Sequence, residues 1–139
     1  MTGMVELVVV GRSFDMPLMR HYIDVAIAKS GRDPEVVVGS LRDDARAFGA
    51  WAVDDDGVMG GAVFEVAQDK DRRILHCVAF GTENGALDRI GDWIRAWEGL
   101  ALDNGCRWLS LRGRFGWERV MKSRGFVRRG DYLEKDVES

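Results

Sequence analysis

The sequence predicts a single α/β domain, a mixed central sheet flanked by helices in the order β-α-α-β-β-β-α-β-α-β-β. Three observations predict it. Between residues 48 and 80, three strand-like runs are joined by short turns, one of them of the Asp-Gly hairpin type at Asp56-Gly57. The longest amphipathic pattern, Leu87, Ile90, Ile94, Trp97 and Ala101, lies between two apolar runs. That is the place of a right-handed crossover joining parallel neighbours. At 139 residues, 46% hydrophobic and 31% charged, the chain has the size and composition of one ordinary globular domain.

Each element has its own local reason. Residues 5–10 read as a strand from their β-branched run, broken by Gly11-Arg12-Ser13. Residues 14–29 place Leu18, Tyr22, Val25 and Ile27 at helical spacing, with Ser13 or Asp15 as cap and Ser30-Gly31 as stop. Asp33-Pro34 opens a second helix to about Asp43, against the stiffness of Val36-Val37-Val38. Strands follow over 48–53, 58–67 and 72–80. Gly60-Gly61 marks a bulge or a close backbone approach, and His76 is the one polar break in a central strand. Residues 81–85 form a loop. The long helix ends at Asn104-Gly105, and Trp93 and Trp97 give its sheet-facing side large apolar area. A strand over 107–111, a helix over 115–123 and strands over 126–128 and 132–137 complete the chain.

Composition also excludes. No apolar run approaches the ~20 residues that cross a bilayer, and the run 7–10 is too short for a secretory leader. The expectation is a chain of the bacterial cytoplasm, or one made there and packaged, with no membrane insertion. Cys77 and Cys106 are far apart and belong to no Cys-x-x-Cys pair, so reduced, buried thiols are expected rather than a disulfide or zinc site. The net charge of -3 hides an asymmetry. Residues 105–130 hold Arg107, Arg112, Arg114, Arg119, Lys122, Arg124, Arg128 and Arg129 against Glu118 alone. Such a stretch offers a basic patch to phosphate, nucleic acid or an acidic protein partner, or else a self-neutralising surface.

The element order, and the run from Gly105-Cys106-Arg107 through a strand and a helix to Gly125-Phe126, resembles the GNAT superfamily of acyl-CoA-dependent N-acetyltransferases. Within it, Gly113-Arg114-Phe115-Gly116-Trp117-Glu118-Arg119-Val120 followed by Gly125-Phe126 is most similar to the small GNAT-like proteins of tailed bacteriophages and prophages, including internal virion proteins. The resemblance implies a phosphate-cradling loop of pattern Gln/Arg-x-x-Gly-x-Gly/Ala, opening the helix after the fourth strand. Set on this chain, the pattern falls on Ala86-Leu87-Asp88-Arg89-Ile90-Gly91, where only Gly91 matches. Asp88 and Asp92 add charge that repels a pyrophosphate. The family's tyrosine acid, five residues before Gly-Phe, is Met121, which has no proton to give. Its frequent asparagine is Arg114.

The candidates implied are therefore conditional. Glu65 and His76, on central strands, are the candidates for a base. Gly81, Thr82, Gly85, Arg89, Gly91, Arg112 and Arg114 are the candidates for holding acetyl-CoA if it binds. Cys77 is expected to be a buried apolar group, since the adjacent His76 lies on the opposite face of its strand. Asp54-Asp55-Asp56 is expected to be a solvated turn, and no metal site is expected. The function these departures imply is a phage-type GNAT-like protein with a degenerate acetyl-CoA site. It would act through a protein partner in the virion or its assembly, with no resident cofactor and nucleic acid as a further partner. The alternative is an acetyl-CoA-dependent N-acyltransferase with a noncanonical cofactor loop.

Overall fold

The computed structural model describes residues 5–11, 16–27, 32–82, 89–112 and 115–137. Its elements follow the expected order: β1 (Glu6–Gly11), α1 (Met16–Ile27), α2 (Pro34–Asp43), β2 (Ala47–Asp54), β3 (Gly57–Asp69), β4 (Arg72–Thr82), α3 (Ile90–Asp103), β5 (Trp108–Arg112), α4 (Phe115–Lys122), β6 (Val127–Arg129) and β7 (Tyr132–Asp136). The strands form one seven-stranded sheet in the order β1-β2-β3-β4-β5-β7-β6. β4 and β5 pair in parallel, and the other pairs are antiparallel. The parallel pair is the one that α3 connects, as its position in the sequence requires.

Two cores form on the two faces of the sheet. On one, α3 and α4 bury Trp93, Trp97 and Met121 against Phe64, Leu75, Cys77, Leu109, Leu111 and Leu133. Aromatic rings run through it: Phe80 stacks on Trp93 at 4.0 Å, Trp93 meets Trp97 at 5.0 Å, and Trp97 stacks on Phe126 at 5.8 Å. On the other, α1 and α2 bury Met19, Ile23, Val37 and Leu41 against Val63 and Ala79. The second helix survives its valines because they divide between environments. Val37 is buried while Val36 is exposed, and Asp33 caps the start by accepting from the Glu35 amide at 3.0 Å.

Of the three register shifts in the sheet, one at Val10 lies in the edge strand β1 and two lie further in. Ala52 pairs with Gly60 and Val53 with Val58, leaving Met59 as an extra residue in β3. This bulge stands beside the expected Gly60-Gly61 position. The glycines themselves answer the other expectation, close approach: a Cβ on Gly61 would stand 3.0 Å from Met19 Sδ and from the Tyr22 ring. The second bulge was not legible. Val63 pairs with Ala79 and Phe64 with Cys77, so Val78 is extra in β4. A bulge bends its strand and increases local twist, and this one falls where β4 leaves its parallel partner.

Candidate functional site

The parallel register runs from Ile74 opposite Trp108 to Cys77 opposite Leu111 and stops. β4 continues to Thr82, paired on its other side with β3 as far as Gly60. The β4–β5 pairing thus ends at Cys77 and Leu111, one residue before β5 itself ends at Arg112, while β4 runs on to Thr82. Packing of α1 holds the β4 arm in place. A Cβ on Gly81 would lie 2.0 Å from the Tyr22 carbonyl oxygen, so Gly81 is glycine because the α1 backbone seats on it.

One step before the last parallel pair, a polar row crosses the sheet. Glu65 opposes His76, His76 opposes Ser110, and Ser110 opposes Glu134. Directly opposed residues share a face, so the two candidate bases stand side by side. His76 Nδ1 lies 2.7 Å from Ser110 Oγ, and Tyr132 meets the imidazole edge-on at 5.6 Å. Burial, then the nearby charges of Arg32 and Arg112, push His76 down to about 4, against the bond at Ser110. The ring is neutral at physiological pH. Glu65 lies 3.9 Å from Arg46. Glu134, buried, pairs with Arg72 at 2.9 Å and Arg129 at 3.3 Å. Both guanidiniums lie over the Trp108 ring, at 4.9 and 5.9 Å.

After β4, α3 begins without a side-chain cap at Arg89. The Arg89 guanidinium turns toward the β2–β3 hairpin, bonding Asp54 at 2.6 Å with both side chains largely buried. The Asp54-Asp55-Asp56 turn is thus a structural anchor as well as a turn, with Asp54 also accepting from the Asp56 amide at 2.8 Å. Gly91, in the first turn, faces Arg124: a Cβ there would stand 2.8 Å from its Nη1. Arg124 comes from the turn after α4, 33 positions away, and its place beside Gly91 was not legible in the sequence. Thr82 ends β4, half-buried. Gly85 and Arg114 lie outside the described residues, and so does the body of the phosphate-loop pattern.

Met121, at the position of the family's acid, is wholly buried in the core beneath α4. Cys77 is buried too, and desolvation pushes its thiol up to about 12. Much of the basic stretch is engaged by carboxylates. Arg107 pairs with Asp136 at 2.9 Å, and Arg128 and Lys122 pair with Glu118 at 2.6 and 3.1 Å. Arg128 first and Lys122 second hold Glu118 down at about 2. Among the described residues there is no group of three or more metal-ligating side chains.

A seven-stranded mixed sheet with one parallel pair, β4–β5, flanked among the described residues by four helices, is the fold of the GNAT acetyltransferases. No family model and no curated protein matches the chain. Solved structures do. Tetrahymena GCN5 superposes with a TM-score of 0.68 over 95% of this chain and 96% of its own, at 12% identity. A GNAT family acetyltransferase from Brucella melitensis, solved in complex with acetyl-CoA, gives 0.65 over 95% and 87%, at 17% identity. FeeM, an N-acyl amino acid synthase from uncultured soil microbes, gives 0.71 over 100% and 92%, at 9% identity. At such identities the likeness is one of fold, and function must be argued from the site.

Proposed function

We propose that the chain is an acyl-CoA-dependent N-acyltransferase with a noncanonical phosphate site. The observation that carries this reading is the neutral His76–Ser110 pair one step before the β4–β5 pairing ends, on a chain whose α3, opening without a side-chain cap, follows β4. The residues at α3 suit the phosphates of coenzyme A: the absent Cβ of Gly91 lets the Arg124 guanidinium lie against the first turn, beside its N-H groups. Helix N-H groups and a cation together make an anion site. Several solved neighbours are GNAT acetyltransferases, and the one from Brucella melitensis holds acetyl-CoA.

Bound there, the acyl thioester would supply the acyl group to an amine. The chain's own part is to orient and desolvate. His76, neutral and tied to Ser110, is too weak a base to keep a proton at neutral pH. It acts instead as a hydrogen-bonding group that aligns an amine arriving as the free base, with Glu65 beside it. Tyr132, partly exposed and edge-on to His76, is the phenol on this face.

A second reading is favoured by Met121. A thioether locked in the core cannot serve as an acid, and Asp92 adds a carboxylate to the first turn of α3. On this reading the chain is a phage- or prophage-type protein that acts by contact with a protein partner, in a virion or its assembly. Calorimetric titration of acetyl-CoA separates the two. Micromolar binding supports the enzyme and removes the interaction reading. No heat and no thermal shift at millimolar ligand overturns the enzyme.

A further inference from the structure

Two guanidiniums stand near His76 at the end of the β4–β5 pairing. Arg112 ends β5, one residue past Leu111, and is exposed. Strand alternation puts its side chain on the face of Ser110, and therefore of His76. Among the described residues it forms no ion pair. Arg32, just before α2, arrives from the helix side. Its Nη1 donates to the Val78 carbonyl at 2.8 Å. Val78 is the bulged residue one past Cys77, as Arg112 is one past Leu111. Arg112 and the carbonyl that anchors Arg32 thus occupy facing positions on two strands that have ceased to pair.

The carboxylates of this face are occupied elsewhere. Glu65 is turned to Arg46, and Glu134 is held by Arg72 and Arg129. Arg112 is thus an exposed guanidinium on the face of His76, open to an anion supplied by a ligand. The planar fork of a guanidinium suits a carboxylate, which it can bond through two parallel N-H groups. Such an anion would lie beside His76, where an acceptor amine would be aligned.

We propose that Arg112, with Arg32 behind it, binds a carboxylate carried by the acceptor amine, so that the acceptor is an amino acid rather than a simple amine. This rests on the acyltransferase reading. The competing use of Arg112 is a nucleotide phosphate of coenzyme A, and the test separates the two.

The experiment takes phenylalanine, methionine and glycine, each beside its carboxamide, as acceptors in a thiol-release assay with acetyl-CoA. In parallel, the N-acetyl derivatives of the same six compounds are titrated into the protein with coenzyme A present, which reads the subsite without turnover. Expected is a preference of at least tenfold for acid over amide in at least one pair. The ratio should fall toward one in Arg112→Ala and be partly kept in Arg112→Lys. Because Arg112 is exposed, both variants should keep the wild-type thermal midpoint. Equal handling of acid and amide in all three pairs overturns the inference. So does an Arg112→Ala protein that keeps the preference or loses coenzyme A affinity instead. A wild type that binds acetyl-CoA but shows no acid preference removes this inference alone; one that binds no acetyl-CoA removes the acyltransferase reading itself.

Discussion

His76 Nδ1 lies 2.7 Å from Ser110 Oγ, one register step before β4 and β5 part. The bond crosses the parallel pair one step before its end and ties the imidazole of β4 to β5. It does not make His76 a strong base, because burial and two nearby guanidinium charges outweigh it and hold the group at about 4.

That depression has a consequence for stability. An unfolded histidine titrates near 6.5. Between pH 6.5 and 4 the unfolded chain takes a proton that the folded chain refuses. The contribution of His76 is therefore complete above about pH 6.5 and is lost as pH falls toward 4. At ~1.4 kcal/mol per pKa unit, the change from pH 7 to 4.5 is about 2 kcal/mol. Urea unfolding at the two pH values should show wild type losing about that much more than His76→Gln. Parallel losses in the two proteins would mean that His76 is not depressed.

Gly81 and Gly91 were both expected to serve a phosphate, and the structure gives them different neighbours. At Gly81 the obstacle to a side chain is the Tyr22 backbone at 2.0 Å; at Gly91 it is the movable end of Arg124. Gly81→Ala should therefore unseat α1 and lower stability by about 3 kcal/mol or more. Gly91→Ala should leave stability unchanged or raise it by up to ~1 kcal/mol, since alanine is the better helix former. Its cost should appear in coenzyme A affinity, with Arg124→Ala weakening the same binding. Chemical denaturation read beside calorimetry checks both halves. A Gly91→Ala protein that binds coenzyme A like wild type would move the phosphate site away from α3.

Arg89 was weighed as a cation for the cofactor, and its bond to Asp54 at 2.6 Å points to a structural duty. Both side chains are less than a fifth exposed, so the pair should be worth more than a surface bridge. A double-mutant cycle with Arg89→Ala and Asp54→Ala should give a coupling of about 1–2 kcal/mol. Each single change should cost more than its share of the double, because it leaves a partly buried charge behind. Coupling near zero would mean that the contact carries no stability.

The element order was legible because each element announces itself locally. Asp33-Pro34 opens α2, Asp56-Gly57 turns the β2–β3 hairpin, and the spacing of Ile90, Ile94, Trp97 and Ala101 draws the buried face of α3. The juxtaposition of Glu65 with His76 was half legible. Both fell on central strands, and their direct opposition is counted off from the tight Lys70-Asp71 turn, whose register runs unbroken from Asp69–Arg72 to Glu65–His76; a turn bounded only loosely in the sequence does not fix that register. Arg32, Ser110 and Arg124 were missed for a similar reason. Each reaches the site across at least 30 intervening positions, and an isolated arginine or serine carries no local signal of where it will be brought. The basic character of residues 105–130 was visible, but the partners that engage it, Asp136 and Glu134, come from the acidic tail that follows.

Cys77 is the remaining group that could be mistaken for chemistry, since it adjoins His76 in sequence and sits at the last position of β4 paired with β5. Its side chain belongs to the core shared with Trp93 and Trp97, on the far face from the imidazole. Desolvation raises the thiol to about 12. The thiolate is the nucleophile, so at pH 8 almost none is present, and burial blocks approach as well. Cys106 is buried in the same core, and burial raises its thiol in the same direction. The native protein should therefore react with a chromogenic disulfide reagent only at its rate of opening, and both thiols should be titrated at once in denaturant. Cys77→Ala should lower stability by about 1–2 kcal/mol for the lost sulfur contacts. It should leave acyl transfer within twofold of wild type. A fast-reacting thiol in the native protein, or loss of transfer without loss of stability, would return Cys77 to the catalytic candidates.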